Sequence, residues 1–203
     1  MIICNSHKFI VLKSVRTGSS AFNLAIRESG LINPDTDSVS RIKFMNIPSV
    51  GIFGNMPFNY YNSYHAEFYD IYGIYRNPVD RFISTCNLIK QNKELYSIFE
   101  PALNKNVEDI TYEDIIDMQW LLFSLPMFRP QSHILSIPRI QIIDYNNLSE
   151  SIASIITKYG GTVDIPVVNQ STVRMAGDIT PELIAKIEAH YSEDMLIKPN
   201  FVA

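Results

Sequence analysis

Cysteine, positive charge, long apolar runs and a complete phosphate-loop signature are what this chain has too little of. Its 203 residues hold two cysteines, Cys4 and Cys86, with neither metal-ligand nor redox spacing. A disulfide framework is therefore excluded, and both read as free thiols in a reducing compartment. No apolar run approaches the roughly 18 residues that cross a bilayer, so no membrane span is expected. The N-terminus lacks a basic stretch followed by an apolar one and a small-residue cleavage site, which argues against a signal peptide and for a cytoplasmic location. Lysine and arginine number 17 against 21 acids, a net charge of −4. Long-range attraction to nucleic acid or an acidic membrane surface is not expected. Repeats and low-complexity tracts are also missing, which excludes a collagen-like or disordered chain.

What is present points to a packed domain. Hydrophobic residues make up 46% of the chain and charged ones 19%, enough to bury a sizeable core. The length fits one domain over 1–203, or at most a tight pair. Charge is unevenly spread. Residues 1–30 carry Lys8, Lys13, Arg16 and Arg27 against the single acid Glu28, whereas 108–117 carry Glu108, Asp109, Glu113, Asp114 and Asp117 with no base. The first region can receive an anion; the second reads as a solvated helix face.

Patterning predicts strands alternating with helices. Strands are predicted over 8–13, 70–75 and 139–145 from short apolar runs with polar ends. Helices follow each: one carrying Phe22, Ala25 and Ile26 and stopping at Gly30, one opened by Pro78 with a stripe of Val79, Phe82, Ile83 and Cys86, and one from about Asn147 to Gly160-Gly161. Thr111 with Asp114 spaces as a capping box for a helix to about Phe123, and Thr180-Pro181 opens a last helix bearing Leu183, Ile184, Ile187 and Tyr191. This order argues for an α/β, three-layer domain with a mostly parallel central sheet.

Parallel sheets hold ligands where strands end and helices begin. Lys13 to Ser20 is such a junction. The helix start offers unpaired N–H groups, Gly18 permits close backbone approach, Thr17, Ser19 and Ser20 add hydroxyls, and Arg16 adds a charged fork of donors. The Walker pattern fails here, having no first glycine and no lysine after Gly18. A second stretch, Arg76-Asn77-Pro78-Val79-Asp80-Arg81-Phe82-Ile83-Ser84, sets an arginine at a strand end and Ser84 on the next helix. Both would converge on a second anion.

Together the two stretches resemble the sulfotransferases that use 3'-phosphoadenosine-5'-phosphosulfate (PAPS) as donor. Residues 16–20 are similar to that family's K-[ST]-G-[ST]-[ST] loop, with Arg16 in place of the usual lysine, and residues 76–84 match R-[DN]-P-x-x-R-x-x-S throughout. Arg129-Pro130-Gln131-Ser132, Val168-Asn169-Gln170-Ser171 and His190-Tyr191-Ser192-Glu193-Asp194 are similar to segments of the carbohydrate sulfotransferase branch and its bacterial relatives. The resemblance implies a P-loop NTPase-like fold and sulfuryl transfer to a hydroxyl, on a carbohydrate, without metal. It also implies that Arg16, Thr17, Gly18, Ser19 and Ser20 hold the phosphosulfate, Arg76 and Ser84 the 3'-phosphate, and Asn169 and Ser171 a loop over the nucleotide. Arginine keeps the charge on the bridging oxygen without serving as a proton donor.

Transfer to a hydroxyl needs a base, and histidine suits that role. His65, 76 − 65 = 11 residues before Arg76, is the first candidate and His133 the second; Glu67 is a third choice or an orienting partner. Tyr61 or Tyr64, from the aromatic-rich stretch around His65, would stack on a sugar ring. Two other classes compete. A P-loop kinase would use Asp144 to hold magnesium, and a non-catalytic nucleotide-binding module would bind donor without transferring sulfate.

Overall fold

A computed structural model of the chain describes residues 2–33, 35, 38–39, 67–92, 95, 97, 99–118, 122, 125–163 and 173–203. In chain order the elements are β1 (Ile2–Cys4), β2 (Phe9–Leu12), α1 (Ser19–Glu28), β3 (Ser38–Val39), β4 (Asp70–Tyr75), α2 (Pro78–Gln91), α3 (Glu100–Leu103), α4 (Tyr112–Asp117), α5 (Ser132–Leu135), β5 (Gln141–Asp144), α6 (Leu148–Lys158) and α7 (Pro181–His190). They fall into two compact units. One comprises Met1–Arg76, Gln131–Asn169 and Ile197–Ala203; the other comprises Asn77–Pro130 and Gln170–Leu196.

The first unit is built on a five-stranded sheet in the order β3-β1-β2-β4-β5. β2 runs parallel to β4, from Phe9↔Asp70 to Leu12↔Gly73, and β4 parallel to β5, from Tyr72↔Gln141 to Tyr75↔Asp144. β1 is antiparallel to both β2 and β3, so every strand but β1 points the same way. The α/β class and mostly parallel sheet match the patterning. β1 and β3 did not announce themselves, because three and two residues are too few to show a period.

Alternation along the strands sends Phe9, Val11, Tyr72, Ile74 and Ile143 into one core with Phe22, Ala25 and Ile26 of α1 and Ile152, Ile155 and Ile156 of α6. Ile10, Leu12, Ile71 and Ile142 face the opposite way, against Leu135 and Ile140. That second layer is the four-residue α5 and the chain after it. It lies close because β4 carries a glycine at its centre: a Cβ on Gly73 would overlap Leu135 Cδ2 and sit 2.7 Å from Ile140 Cδ1. Each large apolar side chain buried in these layers contributes about 1.5–3 kcal/mol.

In the second unit the helix starts follow the expected capping chemistry. The Asn77 side chain accepts from the N–H groups of Val79 and Asp80 ahead of Pro78, Thr111 and Asp114 form the reciprocal capping box, and Thr180 accepts from Leu183 N–H. Two expectations need correction. The buried face of α2 takes in Arg81, Ser84, Thr85 and Asn87, while Val79 and Ile83 are only half-buried. α4 closes at Met118 rather than near Phe123. The reason for the first is Arg81, 1% exposed: its guanidinium donates to the carbonyls of Met127 (3.2 Å) and Arg129 (3.0 Å) and lies 3.7 Å from Asp194 and 5.1 Å from the Tyr191 ring. A buried charge needs such partners, and polar residues follow it inward. The acidic stretch is solvated as expected, with Glu108, Asp109, Glu113 and Asp117 exposed, and three of its acids form surface ion pairs, Glu108 with Lys90, Asp114 with Lys105 and Asp117 with Lys186.

Candidate functional site

At the C-terminal ends of β2 and β4 the first unit brings Arg16 and Arg76 together. β2 ends at Leu12, and the chain turns through 13–18 into α1. Gly18 caps α1 at φ 76°, a left-handed conformation that suits glycine. Arg16 is left-handed too, at φ 63°, and Thr17 between them is not. Backbone anion nests are built from this alternation of hand. The N-cap of α1 offers no side-chain cap, as is also true of α6 and in contrast to α2, α4 and α7, so no capping side chain takes up its first N–H groups. The turn is pressed against the start of α6: a Cβ on Gly18 would overlap Leu148 Cδ2 and lie 3.3 Å from Tyr145 Cε2.

Arg76 leaves the end of β4 toward this turn. Its guanidinium Nη1 donates to the Arg16 carbonyl at 2.9 Å, and its Cζ lies over the Tyr145 ring, 4.4 Å from the centroid. The Arg76 backbone is held by one side chain: its N–H donates to Gln131 Oε1 at 3.0 Å, and Gln131 Nε2 donates to its C=O at 2.8 Å. Two polar groups here are buried without a hydrogen-bond partner, Arg76 Nε and the Ser14 hydroxyl; Ser14 is 4% exposed.

Electrostatics point the same way. Burial lowers the Arg16 pKa, and the neighbouring Arg76 charge lowers it further. Lys13, buried with Nζ donating to Asn23 Oδ1 at 2.8 Å, is brought down to about 8, chiefly by desolvation. The like charge of Arg76 beside Arg16, at an uncapped helix start, is an arrangement that an anion would relieve.

The remaining sequence-predicted residues divide. The Thr17 hydroxyl donates to the Ser14 carbonyl at 2.9 Å and is fully buried, so it closes the turn and leaves no O–H for a ligand. Ser19 is half-buried and Ser20 exposed. Ser84, 8% exposed, belongs to the second unit. Glu67 is exposed just before β4, its carbonyl accepting from Arg139 at 3.5 Å. The six-residue strand, about 20 Å long, lies between it and Arg76. His133 is exposed on α5, two residues past Gln131. Asp144 accepts from Asn146 N–H at 2.8 Å and so caps a local turn. His65, Asn169, Ser171, Tyr61 and Tyr64 lie outside the described residues.

Sequence reasoning missed Ser14, Tyr145 and the use made of Gln131. No periodicity marks them; only Gln131 carried a signal, its place in the Arg-Pro-Gln-Ser segment. Among the described residues no group of three or more His, Cys, Asp or Glu is arranged to hold a metal ion, and no helix is long and apolar enough to cross a membrane. No family model, no curated protein and no solved structure matches this chain.

Proposed function

We propose that this chain is a PAPS-dependent sulfotransferase that moves a sulfuryl group to a hydroxyl acceptor, on a carbohydrate, through a P-loop-like strand–turn–helix site. The observation that carries the reading is the Arg76 guanidinium turned onto the Arg16 carbonyl, 2.9 Å away. The Arg76 guanidinium thereby lies against the turn that leads into an uncapped helix start, beside the charge of Arg16, with buried donors on Ser14 and Arg76 left over. Phosphosulfate and phosphate oxygens suit such donors. The resemblance at 16–20 and 76–84 names the nucleotide that carries both groups.

In the transfer, the acceptor oxygen forms a bond to sulfur as the bond from sulfur to the bridging phosphate oxygen breaks. The acceptor proton goes to a base, and 3',5'-bisphosphoadenosine leaves. Arg16 and the α1 N–H groups stabilise charge growing on the bridging oxygen. Arginine suffices because the leaving group is already a stable anion. Two histidines compete for the base: His65 has the resemblance in its favour, and His133 has its exposure and its place two residues beyond the glutamine that holds Arg76.

Titration calorimetry with 3',5'-bisphosphoadenosine and with magnesium-ATP tests the reading. Binding of the bisphosphate without the triphosphate is the expected result; the reverse preference sinks it in favour of a kinase. Donor binding with no sulfate on any sugar identifies a non-catalytic module. His65→Ala and His133→Ala both keep nucleotide affinity within about twofold, and the true base loses at least about a hundredfold in transfer.

A further inference from the structure

We infer that Gln131 is a positioning residue that aims Arg76 at the anion turn, acting through the Arg76 backbone. The inference rests on the function proposed above.

β4 leaves the ladder at Tyr75, whose partner is Asp144. Arg76 is the next residue, and a backbone N–H and C=O at a half-buried position need partners. Gln131 supplies both from one side chain, its amide oxygen accepting at 3.0 Å and its amide nitrogen donating at 2.8 Å. This is the pairing a neighbouring strand would make, extended by one residue with a side chain. Only glutamine combines the reach with both hydrogen-bonding groups, since asparagine is a methylene shorter and glutamate has no donor when ionised. Gln131 is completely buried, and ordering such a flexible side chain costs about 1.5–2 kcal/mol of rotamer entropy.

The consequence lies at the other end of Arg76. With its backbone pinned on both polar groups, the residue's Cα–Cβ direction is set. The guanidinium then reaches the Arg16 carbonyl and lies over the Tyr145 ring, with Nε unpartnered. Without the pin, an arginine beside a second arginine would swing outward into water, away from the like charge that already lowers the Arg16 pKa. Gln131 is itself held down by α5, which sits on the strand at Gly73. A simple packing role for Gln131 would affect stability and leave the aim of Arg76 unchanged.

Two readouts on the full chain separate these roles. The first is independent of any ligand: the Arg76 side-chain Nε–H resonance, assigned by its loss in Arg76→Lys. Tyr145 shifts it by ring current, and Tyr145→Leu reports its unshifted position. Gln131→Ala is expected to move the resonance at least halfway to that position. The second readout is the affinity ratio of 3',5'-bisphosphoadenosine to 5'-adenylate, expected to fall at least tenfold in Gln131→Ala and to fall no further when Gln131→Ala is added to Arg76→Ala. Gln131→Glu keeps the packing and one hydrogen bond. It is expected to give smaller changes of the same sign, and it replaces Gln131→Ala if that variant does not fold. An unmoved resonance, or an unchanged ratio in a wild type that prefers the bisphosphate, overturns the positioning role. A wild type with no preference for the bisphosphate, whose resonance still moves in Gln131→Ala, overturns the sulfotransferase reading and supports the positioning role.

Discussion

The two ends of one sheet treat charge in opposite ways. At the N-terminal end of β4, Asp70 accepts from Lys158 Nζ at 2.7 Å and from the Tyr159 hydroxyl at 2.6 Å; Lys158 also donates to the Tyr72 hydroxyl, and Tyr159 stacks on Phe9. Burial pushes the Asp70 carboxyl up, but the hydrogen bonds from Lys158 and Tyr159 outweigh it and hold the pKa below the ordinary range. Lys158 is raised in turn by Asp70. At the C-terminal end, Arg16 and Arg76 meet before an uncapped helix start, burial lowers the pKa values of Arg16 and of Lys13, which donates to Asn23 in that helix, and two buried donors have no partner. One end closes its network and gains stability. The other leaves donors for a group from outside, and such an imbalance marks a site more firmly than a motif does.

Three experiments bear on that contrast, the largest effect first. Gly18→Ala puts a Cβ into Leu148 at a left-handed φ. Nucleotide binding should fall below detection, and urea denaturation should show a loss of about 2–3 kcal/mol. Unchanged binding would mean that the turn is not where the anion sits. A smaller effect comes from Lys13. Its pKa is about 8, so its charge is lost as pH rises through that value. Bisphosphate affinity should then fall roughly fivefold between pH 7 and 9, with that dependence absent in Lys13→Met. Its folded-state pKa lies below the unfolded value, so between pH 8 and about 10.4 the unfolded chain holds more protons and this residue's contribution makes stability rise with pH. The smallest effect is at the closed end. Asp70→Asn should cost about 1 kcal/mol at pH 7, after allowance for the exposure of the pair, and leave nucleotide binding untouched. Because the folded pKa of Asp70 is depressed, its contribution is present above about pH 4 and lost as pH falls below that. The gap between wild type and variant in thermal melts should therefore narrow in acid. A binding defect in Asp70→Asn would erase the contrast between the two ends.

Much of the scaffold was readable from local pattern. β4 begins and ends where the run from Asp70 to Tyr75 predicts, the capping groups of Thr111 and Thr180 mark their helices because the hydrogen bonds involved span three residues, and Pro78 marks the first turn of α2 because its fixed φ suits that position. The charged turn after β2 was visible as well, since Arg16 and Gly18 sit together in the chain. The partners of Arg76 were not. Gln131 is 55 residues away and Arg16 is 60, and no periodicity joins positions so far apart. Arg81 looked like a motif residue and is instead a buried strut for the carbonyls of Met127 and Arg129. Thr17, a candidate donor by its type, spends its hydroxyl inside the turn.

The amino-acid sequence by itself determined the alternation of strands and helices, the capped helix starts and the presence of an arginine at each of two strand ends, because all of these are interactions among near neighbours. Only the tertiary structure decided that one guanidinium turns onto the other's carbonyl, that a distant glutamine holds its backbone, and that one end of the sheet is paired while the other is not. Those outcomes depend on which strands lie side by side. That adjacency is set by how the whole core packs and not by any single segment.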